Sequence, residues 1–291
     1  MTVPVSERSG AAASGAGGLG ARARYWLFTV FAWCVVLMIS FPLIWMVLSS
    51  LKSNQEIQAS PPTFLPLSIT LDQYRDALKG DFPQWFVNSL VIASGTTLLS
   101  SVVGTLAAYS LARLSFSGQK VFSVSVVLAY LFPKILMLVP LVIIIRELHI
   151  TNTYVTLIIA NTTFALPFTL WLLRGFFSGL PIELEQAAMI DGASRLSAIW
   201  DVVIPQALPG IISTATFAFI LAWNEYLFAL TFTTQDNTTL PVGLSQFSSE
   251  LNVQWGPLMA ASVAVTVPIV LLLMIFQRRF TTGLTEGGIR G

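Results

Sequence analysis

Six stretches of the chain stay apolar for twenty residues or more: Tyr25–Leu51, Trp85–Ala112, Val121–Ile145, Tyr154–Leu173, Leu208–Phe232 and Val253–Gln277. A helix crossing the hydrocarbon layer needs roughly 20 apolar residues, because each residue adds about 1.5 Å across a core of about 30 Å. Each stretch is therefore long enough to span a bilayer as a helix. The runs are continuous and do not alternate, which excludes a membrane β-barrel built from weak alternating strands of about ten residues. Four of the six carry no charge; the third holds Lys134 and the fifth Glu225. The pattern predicts an all-α integral membrane protein with six transmembrane helices.

Composition sharpens this. Of 291 residues, 55% are hydrophobic and 10% charged, whereas a soluble domain carries about 25% charged residues. The low charged fraction makes the lipid bilayer the natural surrounding, and the formal net charge of +1 argues against a basic nucleic-acid binder and against an acidic disordered chain. A single cysteine, Cys34, and a single histidine, His149, exclude a disulfide framework and argue against a metal cluster. Residues 1–24, rich in Gly and Ala, lack the early apolar core and cleavage site of a signal peptide. They are expected to be a disordered cytoplasmic tail. The membrane domain follows at 25–280, and 281–291 form a C-terminal tail. Lys and Arg set the orientation. With both termini in the cytoplasm, the inside holds ten of them, Arg8, Arg22, Arg24, Arg113, Lys120, Arg174, Arg195, Arg278, Arg279 and Arg290. The outside holds four, Lys52, Arg75, Lys79 and Arg146, so the expected address is the cell membrane, multi-pass, with both termini cytoplasmic.

The outer segment Lys52–Gln84 contains Pro61, Pro62 and Pro66, which forbid a regular helix there. Beyond them Leu71, Tyr74 and Leu78 share a helical face, with Thr70 or Asp72 placed to cap it. The inner loop 181–205 is the most informative segment. Pro181 suits a first helical turn, and Glu183 and Glu185 complement the positive end of the helix dipole. Gly192 follows the run where a left-handed cap is needed, Ser194 can cap a second short helix, and that helix should stop before Pro205. Leu184, Ala187, Ala188, Met189 and Ile190 leave this knob apolar on a water-facing surface, which calls for a docking partner.

At this point the sequence resembles a known family. Ala187-Ala188, Gly192 and the run Val202-Val203-Ile204-Pro205 look like the "EAA" loop of importer permeases of the ATP-binding-cassette type, and Asp191-Gly192-Ala193 is the form typical of sugar importers. Asn88-Ser89, the run Trp223–Leu230 and the tail Gly283–Gly291 fit the same subgroup, which is similar to the maltose transporter's shorter membrane subunit and to trehalose importer permeases. The resemblance implies a type I importer fold. It also implies that the loop is a coupling helix seated on an ATPase subunit, with Glu183, Glu185, Gln186, Ala187, Ala188, Asp191, Gly192, Ala193 and Pro205 in the coupling role. The family's motif glutamate before the two alanines is Gln186 here, with Glu185 one residue earlier. Either Glu185 supplies the charge from a neighbouring direction, or the contact is uncharged there.

No Gly-rich phosphate loop of the Walker type occurs, so the chain has no nucleotide site of its own. The resemblance implies four partners: two ATPase subunits that bind ATP and Mg, a second permease completing a heterodimer, and an extracytoplasmic sugar-binding protein. The expected function is the permease subunit of an importer moving a sugar, a mono- or oligosaccharide such as the disaccharides trehalose or maltose. The chain itself is not expected to be an enzyme. A secondary transporter or channel is the alternative; it would need no docking knob and often shows inverted repeats, which are absent from this sequence.

Neither Lys134 nor Glu225 should face lipid, since a charge at the bilayer centre costs about 2.5–3.5 kcal/mol on insertion scales. Counting from the inner ends of their spans, the two differ in depth by roughly 6 Å, within reach of a buried ion pair, so one reading is such a pair or hydrogen-bonded glue between helices. The other reading is a polar lining for a sugar pathway, with Asn224, Glu225, Tyr226, Lys134 and Asn88 as its candidates. Pro133, Pro140, Pro167 and Pro268 are expected to kink their helices, and Gly95, Ser100, Ser101, Gly104, Ala107 and Ala108 to let the second helix approach another closely.

Overall fold

The computed structural model describes residues 17–248 and 253–288. Most of the expected N-terminal tail, with Arg8, and the last residues of the C-terminal tail, with Arg290, lie outside the described residues. The described residues are almost wholly helical. α1 (Gly17–Ser50) is the first span, followed by the short α2 (Asn54–Ile57) and α3 (Asp72–Ala77). α4 (Phe82–Arg113) is the second span, with proline in its first turn. The third apolar stretch is two helices, α5 (Gln119–Leu131) and α6 (Lys134–Glu147). α7 (Tyr154–Gly179) is next, capped by Thr153, whose side chain accepts from the Thr156 N–H. Then come α8 (Ile182–Ile190), α9 (Arg195–Ala198), a π-turn at Ile199–Val203, α10 (Ile204–Trp223), α11 (Leu227–Phe232), α12 (Leu240–Ser245) and α13 (Trp255–Gly288). Among the described residues five helices are long and apolar enough to cross a membrane, and α5 with α6 makes a sixth crossing when counted as one span.

α4, α7 and α10 form the packed centre, with α13 against α10 and α1 against α13. α4 and α7 meet closely because glycine faces the partner: a Cβ on Gly104 would sit 2.7 Å from Cγ2 of Thr169. Three apolar clusters stack along this centre. The first joins Trp85, Phe219, Trp223 and Leu240. The second joins Ile92, Leu157, Phe164 and Phe228. The third, at the opposite end of α4, joins Ala108, Tyr109, Leu173, Phe177, Val203 and Ala207. None of the most apolar stretch of α1 is buried within this chain, which leaves that surface to lipid or to another subunit.

Several expected elements take a different form. Pro133 does not kink the third span; it ends one helix and starts another, bent by 101°. The residue before a proline is driven out of the helical region, and Phe132 (ψ 133°) and Pro133 (ψ 124°) are both extended. The fifth span is longer than expected at its start and divided near its end. The helix beginning at Arg195 does not stop before Pro205 but continues into α10. It does so by widening: the Ile204 N–H bonds to the Ile199 carbonyl, five residues back. That looser turn makes room for a proline ring that would otherwise strike the carbonyl four residues earlier. At its far end α10 stops at Asn224, and α11 restarts at Leu227.

The short helix α3 also turns a different face inward. Leu71 and Leu78 are exposed, and the buried side chains are Gln73 and Ala77. Gln73 donates to the Lys52 carbonyl (3.1 Å) and to Oδ1 of Asn54 (3.0 Å), so hydrogen bonding to the preceding loop decides which face packs.

Candidate functional site

Two places in the fold gather the sequence-predicted residues: the helix pair at the α7–α10 connection and the break between α5 and α6.

At the first, α8 ends in a complete left-handed cap. The Gly192 N–H bonds to the Met189 carbonyl (3.2 Å) and the Ala193 N–H to the Ala188 carbonyl (3.0 Å). Gly192 has φ +95°, the conformation that this six-to-one, five-to-two arrangement demands and that a side chain penalises. Ser194 then caps α9, its Oγ accepting from the Ser197 N–H at 3.2 Å. Ile190 is 85% exposed and Leu196 65%. Ile182, Leu184 and Trp200 are exposed as well, and so are Glu183, Gln186, Ala187, Asp191 and Gly192. Ala188 and Ala193 are half-buried.

Glu185 behaves unlike its neighbours: it is buried, 4% exposed. Its Oε1 accepts from the Tyr109 hydroxyl at 2.6 Å, and its Oε2 lies 3.8 Å from Nε of Arg113. Arg113 in turn donates from Nη2 to the Leu180 carbonyl at 2.8 Å. The carboxylate therefore points into the protein and ties α8 to the end of α4, directly over the third apolar cluster. Glu185 does not face outward, and the exposed residue before Ala187 is Gln186. Tyr109 and Arg113 were missed as partners because their link to Glu185 spans more than seventy residues, beyond any local pattern.

At the second place, a cavity of about 320 Å³ opens where the chain breaks between α5 and α6. Tyr130, Leu131, Phe132 and Lys134 line it from the break, Asn161, Phe164 and Ala165 from α7, and Leu221, Ala222 and Phe228 from α10 and α11. Nζ of Lys134 stands 5.5 Å from the Phe164 ring centroid. Asn161 was not singled out in the sequence, although a lone amide in the middle of an uncharged span was a usable signal.

The expected Lys134–Glu225 ion pair is not formed. Glu225 is buried, and its carboxylate accepts from the Phe228 N–H at 3.0 and 3.1 Å and from the Ala229 N–H at 3.0 Å. Backbone amides at the start of α11 satisfy this acid, which is what allows the chain to break there inside an apolar protein. Asn224 and Tyr226 flank it and are exposed, with Asn224 Nδ2 donating back to the Ile220 carbonyl at 2.8 Å.

Asn88 lies elsewhere, fully buried near the first cluster. Its amide donates to the Asp236 (3.1 Å) and Thr238 (2.8 Å) carbonyls and accepts from the Tyr154 hydroxyl (2.7 Å) and Gln84 (2.9 Å). All four of its hydrogen-bonding positions are used within the chain, so none is left to a passing solute. Next to it, Ser89 Oγ accepts from the Leu240 N–H at 2.8 Å. The pair fastens the α11–α12 connection to α4.

A bundle of bilayer-length helices, with a capped helix pair displaying apolar side chains at one end, is the geometry of a membrane protein with a docking element. The chain belongs to the family of binding-protein-dependent transport system inner membrane components, which residues 100–286 match. It is 38% identical over 255 residues to the inner membrane ABC transporter permease protein YcjP of Escherichia coli (strain K12), covering 86% of this chain and 91% of that one. It is also 38% identical over 256 residues to the trehalose/maltose transport system permease protein MalG of Thermococcus litoralis, again 86% and 91%. Its fold matches a subunit in the crystal structure of a bacterial ABC transporter that imports the acidic polysaccharide alginate, with a TM-score of 0.77 at 20% identity, covering 91% of this chain and 99% of that one. The protein is thus a multi-pass inner-membrane permease with the type I importer fold. Permeases of this class do not hydrolyse ATP themselves; they work with another permease, separate ATP-binding subunits and a binding protein.

Proposed function

We propose that this permease moves a sugar inward, a disaccharide such as trehalose or maltose being the first candidate, as one half of a heterodimeric permease pair. On this reading residues 25–280 form the membrane domain and both termini lie in the cytoplasm. Segment 181–205 docks on one of two ATPase subunits, which hold ATP and Mg. An extracytoplasmic sugar-binding protein delivers the solute to the other face. The observation that carries the proposal is the α8–Gly192–α9 pair, whose apolar side chains, Ile190 above all, are exposed while its one buried acid is tied to α4. A partner that moves this pair would move α4 with it, which is what coupling requires. The relatives support the sugar: one of them is named for trehalose and maltose transport. Among the predicted path residues, Lys134, Asn224 and Tyr226 remain open to the solute, with Glu225 holding the break between α10 and α11 in shape.

The test is uptake. The complex is purified by a tag on this chain, reconstituted into vesicles with its binding protein, and supplied with labelled trehalose, labelled maltose and ATP. ATP-dependent accumulation of either supports the reading. Labelling of a cysteine at position 195 by an impermeant reagent in intact cells, with Cys34 replaced, would overturn the orientation.

A further inference from the structure

A second cavity, of about 210 Å³, lies between the end of α1 and the start of α13. Trp45 and Ser49 line it from α1, Lys52 and Glu56 from the segment that follows, and Trp255 and Met259 from α13. It shares no lining residue with the cavity at the α5–α6 break. Its polar side chains are buried by this chain itself: Lys52 is 2% exposed, Ser49 6% and Glu56 8%.

Two opposite charges border this space without pairing. Lys52 gives one N–H to the Thr63 carbonyl, and its ammonium sits 4.9 Å from the Trp45 ring centroid. Glu56 uses Oε1 to accept from the Thr63 hydroxyl (2.9 Å) and the Leu67 N–H (2.8 Å). No ion pair joins Lys52 to Glu56 among the described residues. Oε2 of Glu56 and Oγ of Ser49 have no hydrogen-bond partner among them either. Neither atom is sealed in the packing, unlike the unpartnered oxygens of Thr96 and Thr169. Buried polar groups are almost always matched, and buried charges are paired. Here a carboxylate oxygen, a hydroxyl and the spare N–H groups of an ammonium meet at one cavity unmatched.

A group that matches them must accept from Lys52 and donate to Glu56. A hydroxyl does both, and two neighbouring hydroxyls leave an oxygen over for Ser49. The two charges already cancel, so a neutral ligand keeps the cavity neutral. The Trp255 indole adds a flat apolar face of the kind that packs on the C–H side of a pyranose. The volume falls below the roughly 300–1,000 Å³ of pockets for drug-sized ligands and suits a single ring.

We propose that this cavity is an accessory binding site for one ring of a neutral sugar, its hydroxyls bridging Lys52 and Glu56 and reaching Ser49, with Trp255 against the ring. The inference rests on the reading of the chain as a permease for a neutral sugar. On that reading the end of α1 faces outward, so the site holds sugar on the side where the binding protein delivers it.

The experiment reads the cavity itself. Met259 is replaced by cysteine in the complete transporter, with Cys34→Ser in this chain and the partner subunits free of cysteine; Ile57→Cys, also on the lining, is a second reporter. In lipid nanodiscs without binding protein, the rate of modification by N-ethylmaleimide is followed with rising methyl glucoside. It is followed separately with glycerophosphoethanolamine, a zwitterion able to bridge the same two charges. Methyl glucoside should slow modification saturably, and the zwitterion should not. Ser49→Ala removes one neutral hydrogen bond and should raise the half-protecting concentration about 3- to 10-fold. Its thermal unfolding should match the parent's, since the hydroxyl has no partner within the chain. Glu56→Gln keeps an acceptor for Thr63 and Leu67 but removes the free carboxylate oxygen, and should raise that concentration more than about 10-fold. Protection by the zwitterion at or below the same concentration would make this a lipid-headgroup site, and protection by neither would leave it to water; either result overturns the proposal. ATP-driven uptake of labelled trehalose and maltose is measured alongside. Uptake without protection refutes the accessory site alone, and absence of both refutes the sugar reading with it.

Discussion

Replacing Glu185 and replacing its neighbour Gln186 should have opposite consequences, although both fall in the same turn of α8. Glu185→Ala removes the acceptor of a 2.6 Å bond from Tyr109 and the counter-charge 3.8 Å from Arg113. The Arg113 and Glu185 side chains are 8% and 5% exposed, so solvent cannot take over. Breaking a buried pair from one side costs about 3–5 kcal/mol, mostly because the remaining charge is left alone. The Arg113 Nη2 bond to the Leu180 carbonyl survives and softens the loss. The low end, about 3 kcal/mol, still shifts a tied-versus-free equilibrium of α8 by more than about 100-fold. The penalty is local, because the cluster of Ala108, Leu173, Phe177 and Ala207 beneath it is untouched. The assay is hydrogen exchange in 182–190 of the purified complex, paired with ATP-driven uptake. Glu185→Ala should speed exchange there and lower uptake with the ATPase still attached, whereas the exposed Gln186→Ala should leave exchange unchanged and act, if at all, on ATPase attachment. Replacing both charges by apolar groups, Arg113→Met with Glu185→Leu, should recover most of the exchange protection, since a buried pair exchanged for apolar packing is often neutral. Unchanged exchange in Glu185→Ala would refute the tie.

Three further outcomes follow from the same geometry. Asn88→Leu strands the Asp236 and Thr238 carbonyls and the Tyr154 hydroxyl, so it should destabilise the purified complex by about 1–3 kcal/mol in thermal unfolding and leave solute affinity alone. Glu225→Ala should loosen α11 by exposing the Phe228 and Ala229 amides, and Lys134→Met should not rescue it; rescue would restore the ion-pair reading. Gly104→Val puts a branched side chain where a Cβ alone meets Thr169 at 2.7 Å, and should cut the yield of folded protein sharply, with Gly104→Ala milder.

The membrane class, the number of apolar stretches and the capped helix pair were legible in the sequence, because each depends on local facts: run length, Gly192 at a helix end, Ser194 at a helix start. The breaks were less legible. Pro133 reads equally as a kink or a full stop, and what decides is whether the freed carbonyls find room at a cavity edge, a tertiary fact. Glu225 was recognised as a charge needing compensation, but its compensation comes from backbone amides that exist only because α10 stops at Asn224. Glu185 is the clearest case. Its neighbours on α8 are exposed, and only the packing of α4 beneath α8 shows that this position turns inward.

The central claim, that the α8–Gly192–α9 pair is where an ATPase subunit docks, is tested most directly by cross-linking at its most exposed side chain. Ile190, 85% exposed, is replaced by cysteine in a Cys34→Ser background and treated with a short bifunctional thiol reagent in the assembled transporter. The ATPase subunits carry single cysteines along their membrane-facing groove. A cross-link between position 190 and the ATPase, its yield changing when ATP is bound, is the expected result. Cross-linking to lipid-facing or permease positions alone, with none to the ATPase in either nucleotide state, would contradict the account.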